Sequence, residues 1–139
     1  MVTAPLLCLF LFGIIDLGLA FSTQMRLISI AQESARAAAA GESEYRIQQR
    51  VAEIASRLDT EHLQLTIEYA MYLGQGQWAS TWQTMQSVGD FNTIPLNSHV
   101  RVTVVYDYHV LAPGLLSFLL DDPVEGTKRL AARVSMPRT

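Results

Sequence analysis

The sequence predicts an α+β protein whose N-terminal helix crosses a membrane and continues into a stalk. Its hydrophobic pattern changes twice along 139 residues. Residues 2–21 are almost wholly apolar, residues 22–58 have the composition and spacing of helices, and apolar and polar residues alternate after residue 59. These three observations predict a transmembrane helix, a second amphipathic helix, and a small antiparallel sheet of about four strands on which that second helix packs.

The apolar run extends from Val2 to Phe21 and is interrupted only by Thr3 and Asp16. At ~1.5 Å per residue, a helix of this length is about 30 Å long, which is enough to cross the hydrocarbon core of a bilayer. Leu, Ile and Phe on all sides leave no face that water could solvate. Residues 1–21 are therefore predicted to be a transmembrane segment.

The helix is expected to continue through an alanine-rich stalk at residues 22–41. No Gly or Pro occurs between Ser22 and Gly41, and most residues there are strong helix formers. One helix of roughly 54 Å is predicted from about Pro5 to Ala40. Ala35 and Ala38 are small enough to let another helix approach closely, although alanine is also simply the best helix former.

A separate domain is expected from residue 42 to residue 139. Gly41 suits a helix C-cap and Ser43 an N-cap, with Glu44 favourably placed in the first turn of the second helix. Apolar residues then recur along one helical face, and they are Ile47, Val51, Ile54, Ala55 and Leu58.

The remaining elements are predicted to be strands, because apolar residues alternate with polar ones. The predicted strands are 63–73, a short one near 77–84 that places Trp78 and Trp82 on one face, 100–110, and 130–136. Gly74 to Gly76 form a turn, residues 87–95 a loop, and Pro137 ends the last pattern. The apolar segment 115–120 is expected to pack in the core or to rest on a bilayer surface.

Composition and motifs indicate no catalytic or metal site. A net charge of −3 argues against nucleic-acid binding, and no phosphate-binding loop or nucleophile motif is present. The three histidines, His62, His99 and His109, lack metal-site spacing, and Asp121–Asp122 resembles a turn. Cys8 is expected to be an inert thiol in the membrane. No cofactor, metal or enzymatic activity is predicted.

Asp16 is the one residue whose predicted place is energetically costly. An ionisable group below the membrane surface must be paired, protonated or able to reach the headgroups. Asp16 is therefore expected either to reach headgroups or to contact a neighbouring helix. The second alternative makes four residues candidates for helix association in the membrane, and they are Pro5, Gly13, Asp16 and Gly18.

Both ends of the chain resemble the TadE-like pseudopilins of the tight-adherence (Flp) pilus system. The resemblance rests on Pro5, the stretch 12–18 (FGIIDLG), the stretch 35–38 (ARAA), and the terminal strand segments 100–106 and 130–138. It implies a single-pass protein of the bacterial inner membrane with its C-terminal domain outside the cytoplasm. Its implied partners are other pilins or pseudopilins and the pilus assembly platform, and incorporation into a surface pilus is possible for such a protein.

The resemblance begins partway through the family's N-terminal motif. The reading frame ahead of Met1 is therefore expected to encode a basic leader, a small residue at the cleavage point and a Glu. Arg26 and Arg36 follow the apolar run, so the positive-inside count alone would place the C-terminus in the cytoplasm, and the extracytoplasmic orientation follows the family.

Two alternatives remain open. Small residues at Gly18 and Ala20 would permit signal-peptide cleavage before Phe21, which would release an exported soluble domain. The chain could also be an extracytoplasmic binding or sensor module that uses Trp78, Trp82 and the segment 115–120 as its contact surface.

Overall fold

The computed structural model describes residues 3–56, 58–111 and 126–139, except for the side chain of Pro5. Helix α1 spans Thr3–Ala39 and helix α2 spans Glu44–Ile54, followed by a 3-10 turn at Thr60–His62. The strands are β1 (Leu63–Gly74), β2 (Gln77–Trp78), β3 (Gln83–Thr84), β4 (Ser87–Val88), β5 (Phe91–Asn92), β6 (Ser98–His109) and β7 (Thr127–Arg138). The predicted α+β fold class is confirmed, as is the unbroken N-terminal helix.

The main sheet is antiparallel and has the order β2-β1-β6-β7, with β3 also paired to β1. Strand β6 pairs with β7 along its whole length, from Ser98 opposite Arg138 to His109 opposite Thr127. It pairs with β1 from Leu63 opposite Tyr106 to Met71 opposite Ser98. Strand β6 is therefore the central element that aligns the rest of the sheet.

The hydrophobic core lies between β6 and the C-terminal part of α1. Val100, Val102 and Val104 are fully buried on one face of β6, and Leu27 and Ile30 of α1 are fully buried in the same cluster. Burying one such side chain stabilises the folded state by about 1.5–3 kcal/mol. The residues expected to form a stalk thus contribute the helical side of this core.

The helix that packs directly on the sheet is α1, whereas the sequence predicted this place for α2. Helix α1 contacts both β6 and β7, and α2 lies beside α1 and adds Ile47, Val51 and Ala55 to the common core. Length explains the arrangement. Twelve-residue strands are about 40 Å long and match the C-terminal part of α1, while eleven residues of α2 extend only about 16 Å.

The two caps predicted at the break between the helices, Gly41 and Ser43, are both formed. Gly41 has a φ of +94°, its N–H donates to the carbonyl of Ala38, and the N–H of Glu42 donates to the carbonyl of Ala37. This pair of hydrogen bonds is a Schellman motif, which satisfies carbonyls that the helix itself leaves free. The Ser43 hydroxyl then accepts from the N–H of Arg46 and caps α2.

Three strand details differ from the sequence prediction. The strand expected near 77–84 is two short pieces, β2 and β3, and the expected loop 87–95 contains the β4–β5 hairpin. Strand β7 continues through Pro137. Since β7 is an edge of the described sheet, the backbone nitrogen of Pro137 can point away from β6, where its missing N–H interrupts no hydrogen bond between strands. The segment 115–120 and Asp121–Asp122 lie outside the described residues.

Candidate functional site along helix α1

The N-terminal part of α1 exposes apolar side chains over most of its circumference. From Leu6 to Ala39 the helix is long and apolar enough to cross a membrane, which fits a single-pass membrane protein. The exposed large residues include Leu6, Leu7, Leu9, Phe10, Leu11, Phe12, Ile14, Ile15, Leu17, Leu19 and Phe21. A surface of this composition is unfavourable in water, so it requires lipid or another apolar helix.

Asp16 interrupts this surface and is only 2% exposed. Its carboxylate accepts a hydrogen bond from the N–H of Leu111 at 3.1 Å and is hydrogen-bonded to the Tyr108 hydroxyl. Tyr108 lies at the end of β6 and Leu111 two residues beyond it, and together with Asp16 they form what we call the Asp16 clasp. The cost of burying a carboxylate is thus offset by hydrogen-bond donors within the same chain.

The clasp also perturbs Tyr108. Burial raises the pKa of the Tyr108 hydroxyl above its usual value of 10.0, and the negative charge of Asp16 and its hydrogen bond raise it further. Each cause disfavours the phenolate, because a second anion beside a buried carboxylate would be repelled. Tyr108 therefore remains a hydrogen-bond donor to Asp16 well into alkaline conditions.

Among the residues expected to mediate helix association, Gly18 lies on a different face of α1 from Asp16. Successive helical residues turn by about 100°, which places Asp16 about 60° from Gly13 and about 160° from Gly18. A Cβ atom added at either glycine would meet nothing within 4 Å. Pro5 lies in the first turn of α1. The glycines therefore face open space, whereas Asp16 faces its own sheet, and an intermolecular role for these residues stays a prediction.

Ala35 and Ala38 are both fully buried within the core of the chain. Their small side chains allow close packing within this core. Both residues thus lie in the chain's own core, and packing of another helix at Ala35 and Ala38 stays a prediction.

A second polar cluster, at the far end of the sheet, had no clear sequence signal. Asn92 is 9% exposed and donates from Nδ2 to the carbonyls of Ala38, at 2.8 Å, and Glu42, at 2.9 Å. Its Oδ1 accepts from the N–H of Ile94 and from Nη1 of Arg138. Asn92 thus joins β5 to the end of α1 and to the end of β7, and a single Asn in a polar loop does not reveal such contacts.

The two tryptophans lie over the sheet face that points away from α1. The ring centres of Trp78 and His99 are 4.0 Å apart, and the guanidinium carbon of Arg101 lies 3.8 Å from the ring centre of Trp82. His99 and Arg101 are two residues apart on β6, so both tryptophans cover the same face of the sheet, although Trp82 itself lies outside the strands. Arg101 also donates to Glu68 at 2.7 Å.

The histidines do not form a metal site with other ligands in the part of the chain that the structure describes. His62 and His109 form an edge-to-face ring contact at 5.1 Å, and His99 packs on Trp78. Among those residues, no group of three or more His, Cys, Asp or Glu could hold a metal ion.

Comparison with known proteins gives one match. The model of the TadE-like protein family matches residues 1–36, which include most of α1, the stretch 12–18 and the first two residues of the stretch 35–38. No curated protein and no solved structure matches the chain. The resemblance is therefore confirmed for this N-terminal segment, which is TadE-like.

Proposed function

We propose that the chain is a non-enzymatic pseudopilin that takes part in assembly of a tight-adherence pilus through helix–helix association in the bacterial inner membrane. The TadE-like match to residues 1–36 carries the proposal, because it falls on the helix that would make these contacts. In this proposal the C-terminal domain lies outside the cytoplasm, and the partners are other pilins or pseudopilins and the assembly platform.

The exposed surface of α1 supports a lateral contact. Gly18 is exposed between Leu17 and Leu19, and no atom lies within 4 Å of the position that its Cβ would occupy. A larger side chain would therefore leave the fold of this chain unchanged. It would, however, hold a neighbouring helix several ångströms away, because close approach in membranes depends on small residues.

The proposal is tested with Gly18→Leu, and Leu17→Met serves as a matched control at the adjacent exposed position. We expect Gly18→Leu to reduce both the co-purification of other pilins and the number of surface filaments, while Leu17→Met preserves both. Near-UV circular dichroism of each purified variant reports whether the sheet is intact. Normal filaments in Gly18→Leu cells would contradict assembly through this helix surface.

Substitution of Asp16 tests the same association less cleanly. Asp16→Ala is expected to weaken pilin co-purification if the carboxylate also contacts a partner helix. The same change removes the acceptor of the Leu111 N–H and the Tyr108 hydroxyl. A Tyr108→Phe variant separates the two effects, because it loosens the clasp but keeps the carboxylate. Filament loss in Asp16→Ala alone would indicate an intermolecular contact.

Membrane retention distinguishes the anchor from an exported soluble domain. Cleavage before Phe21 would separate Asp16 from the strand groups that donate to it, which favours retention of the whole helix. We expect the full chain to remain with inner membranes after carbonate washing. A soluble mature form that begins at Phe21 would contradict the anchor.

The outer face of the sheet supports a second candidate, an extracytoplasmic binding or sensor module. Trp78 remains 43% exposed there, and the half-buried Trp82 is stacked on Arg101. Trp78→Ala with Trp82→Ala should leave filament assembly intact if the tryptophans serve only a binding role. Loss of filaments in a folded double variant would instead assign this face to assembly.

A further inference from the structure

Among the described residues of the main sheet, those nearest Asp16 are Asp107–Leu111, at and just after the end of β6, and Thr127–Arg129, at the start of β7, and we call them the sheet tip. We propose that the sheet tip lies in the phospholipid headgroup layer, so that the hydrocarbon core ends between Asp16 and Phe21. This inference rests on the proposed membrane anchor and adds a second part of the chain that contacts lipid.

Two contacts place the sheet tip along the axis of α1. The N–H of Leu111 donates to Asp16, and Nε2 of Gln24 donates to the carbonyl of Ala131 at 2.9 Å. Asp16 and Gln24 are separated by about 12 Å of helix. The same distance along β7 corresponds to about three or four residues, which places Thr127 and Lys128 level with Asp16.

Charged groups at this level exclude a hydrocarbon environment around the sheet tip. Nε of Arg129 lies 3.3 Å from a carboxylate oxygen of Asp107, and the Arg129 side chain is 68% exposed. His109, which lies opposite Thr127, is also exposed. Exposed ion pairs are strongly unfavourable in lipid tails but are readily accommodated among headgroups. The hydrocarbon core therefore cannot extend past the level of Arg129 on the side of the sheet.

The opposite side of α1 remains apolar beyond the same level. Leu17, Phe21 and Met25 recur every four residues and are 70%, 66% and 54% exposed. The headgroup layer accepts such side chains together with charged neighbours, and its thickness of about 6 Å matches the distance from Leu17 to Phe21 along the helix. Tyr108, which binds Asp16, is of a residue type enriched at this interface.

Depth-dependent fluorescence quenching tests the proposal in the full chain. Cys8 is the only cysteine and is exposed in α1, so the native chain carries one label in the predicted hydrocarbon region. In a Cys8→Ser background, His109→Cys and Leu111→Cys label the sheet tip, and Phe21→Cys labels the helix. Gln77→Cys labels the exposed far end of the sheet. Each labelled protein is reconstituted in vesicles of phosphatidylcholine and phosphatidylglycerol with nitroxides on the headgroup or deep in the acyl chain.

We expect three distinct quenching patterns. The Cys8 label is quenched most by the deep nitroxide. Both sheet-tip labels and the Phe21→Cys label are quenched most by the headgroup nitroxide. The Gln77→Cys label is quenched by neither. Using two sheet-tip positions keeps the test valid if one variant does not fold.

Several results would overturn the proposal while leaving the anchor intact. In the first, the sheet-tip labels are quenched by neither nitroxide, like the Gln77→Cys label. In the second, the Phe21→Cys label is quenched most by the deep nitroxide, like the Cys8 label. In the third, a second copy of the chain shields the sheet-tip and Phe21→Cys labels from both nitroxides. An unquenched Cys8 label would instead contradict the anchor itself, and with it the proposed function.

Discussion

Removal of the Asn92 side chain should weaken the attachment of the β4–β5 hairpin and of Arg138 to the end of α1. In Asn92→Ala, the carbonyl of Glu42 loses a donor at 2.9 Å, and the carbonyl of Ala38 keeps only the N–H of Gly41. A buried polar group left unsatisfied costs about 1–3 kcal/mol, and each further lost hydrogen bond costs about 1 kcal/mol. We therefore expect a loss of about 3 kcal/mol in the free energy of unfolding, a large fraction of a typical stability of about 5–15 kcal/mol.

The assay is thermal unfolding in detergent, followed by near-UV circular dichroism of the tryptophans, because an apolar helix in a micelle can remain helical after the sheet unfolds. Thr93→Ala is the matched control, since Thr93 is exposed and its hydroxyl donates to the carbonyl of Gln86 at 3.0 Å. We expect the control to change stability by less than about 0.5 kcal/mol. Equal effects of Asn92→Ala and Thr93→Ala would refute the reasoning.

Two further predictions concern Gly41 and Tyr108. Gly41→Ala should cost about 1–2 kcal/mol plus a steric penalty, because its φ is +94° and an added Cβ would lie 3.0 Å from Nη2 of Arg138. Gly74 has a similar φ of +87°, but an added Cβ there would meet no atom within 4 Å, so Gly74→Ala is the control. If both substitutions lower the melting temperature equally, the contact with Arg138 contributes no steric penalty. Tyr108→Phe should lower the free energy of unfolding by about 1 kcal/mol near pH 7, through loss of the bond to Asp16. Because the folded-state pKa of Tyr108 is raised above 10.0, this stabilisation is full below pH 10 and is lost as the pH rises through the raised value. In urea titrations, the difference in the free energy of unfolding between wild type and Tyr108→Phe should therefore become smaller above pH 10. A difference that stays constant with pH would contradict this prediction.

Much of the fold could be predicted because its signals are local. The apolar run predicted the exposed end of α1, the glycine at residue 41 and the serine at residue 43 predicted the break between the helices, and the alternation of valines predicted β6. Each signal depends on residues within a few positions of one another. The pairing of β1 with β3, the β4–β5 hairpin and the extension of β7 through Pro137 lacked comparable signals.

The candidate site was predicted only in part, since its residues were identified without all of their partners. Asp16 was recognised as costly to bury, yet the N–H that binds it belongs to Leu111, which is 95 residues away in the chain. Ala35 and Ala38 were recognised as small, but the sequence could not show that the chain's own core covers them.

By itself, the sequence determined the apolar helix, the caps and the strand periodicity, because these follow from backbone geometry and from the exclusion of apolar groups from water. Only the tertiary structure decided that the sheet packs on α1, that Asp16 binds the end of β6, and that Asn92 binds the end of α1. These contacts depend on the register between distant segments. That register is set by the best common burial of the valines of β6 against α1, and no single segment encodes it.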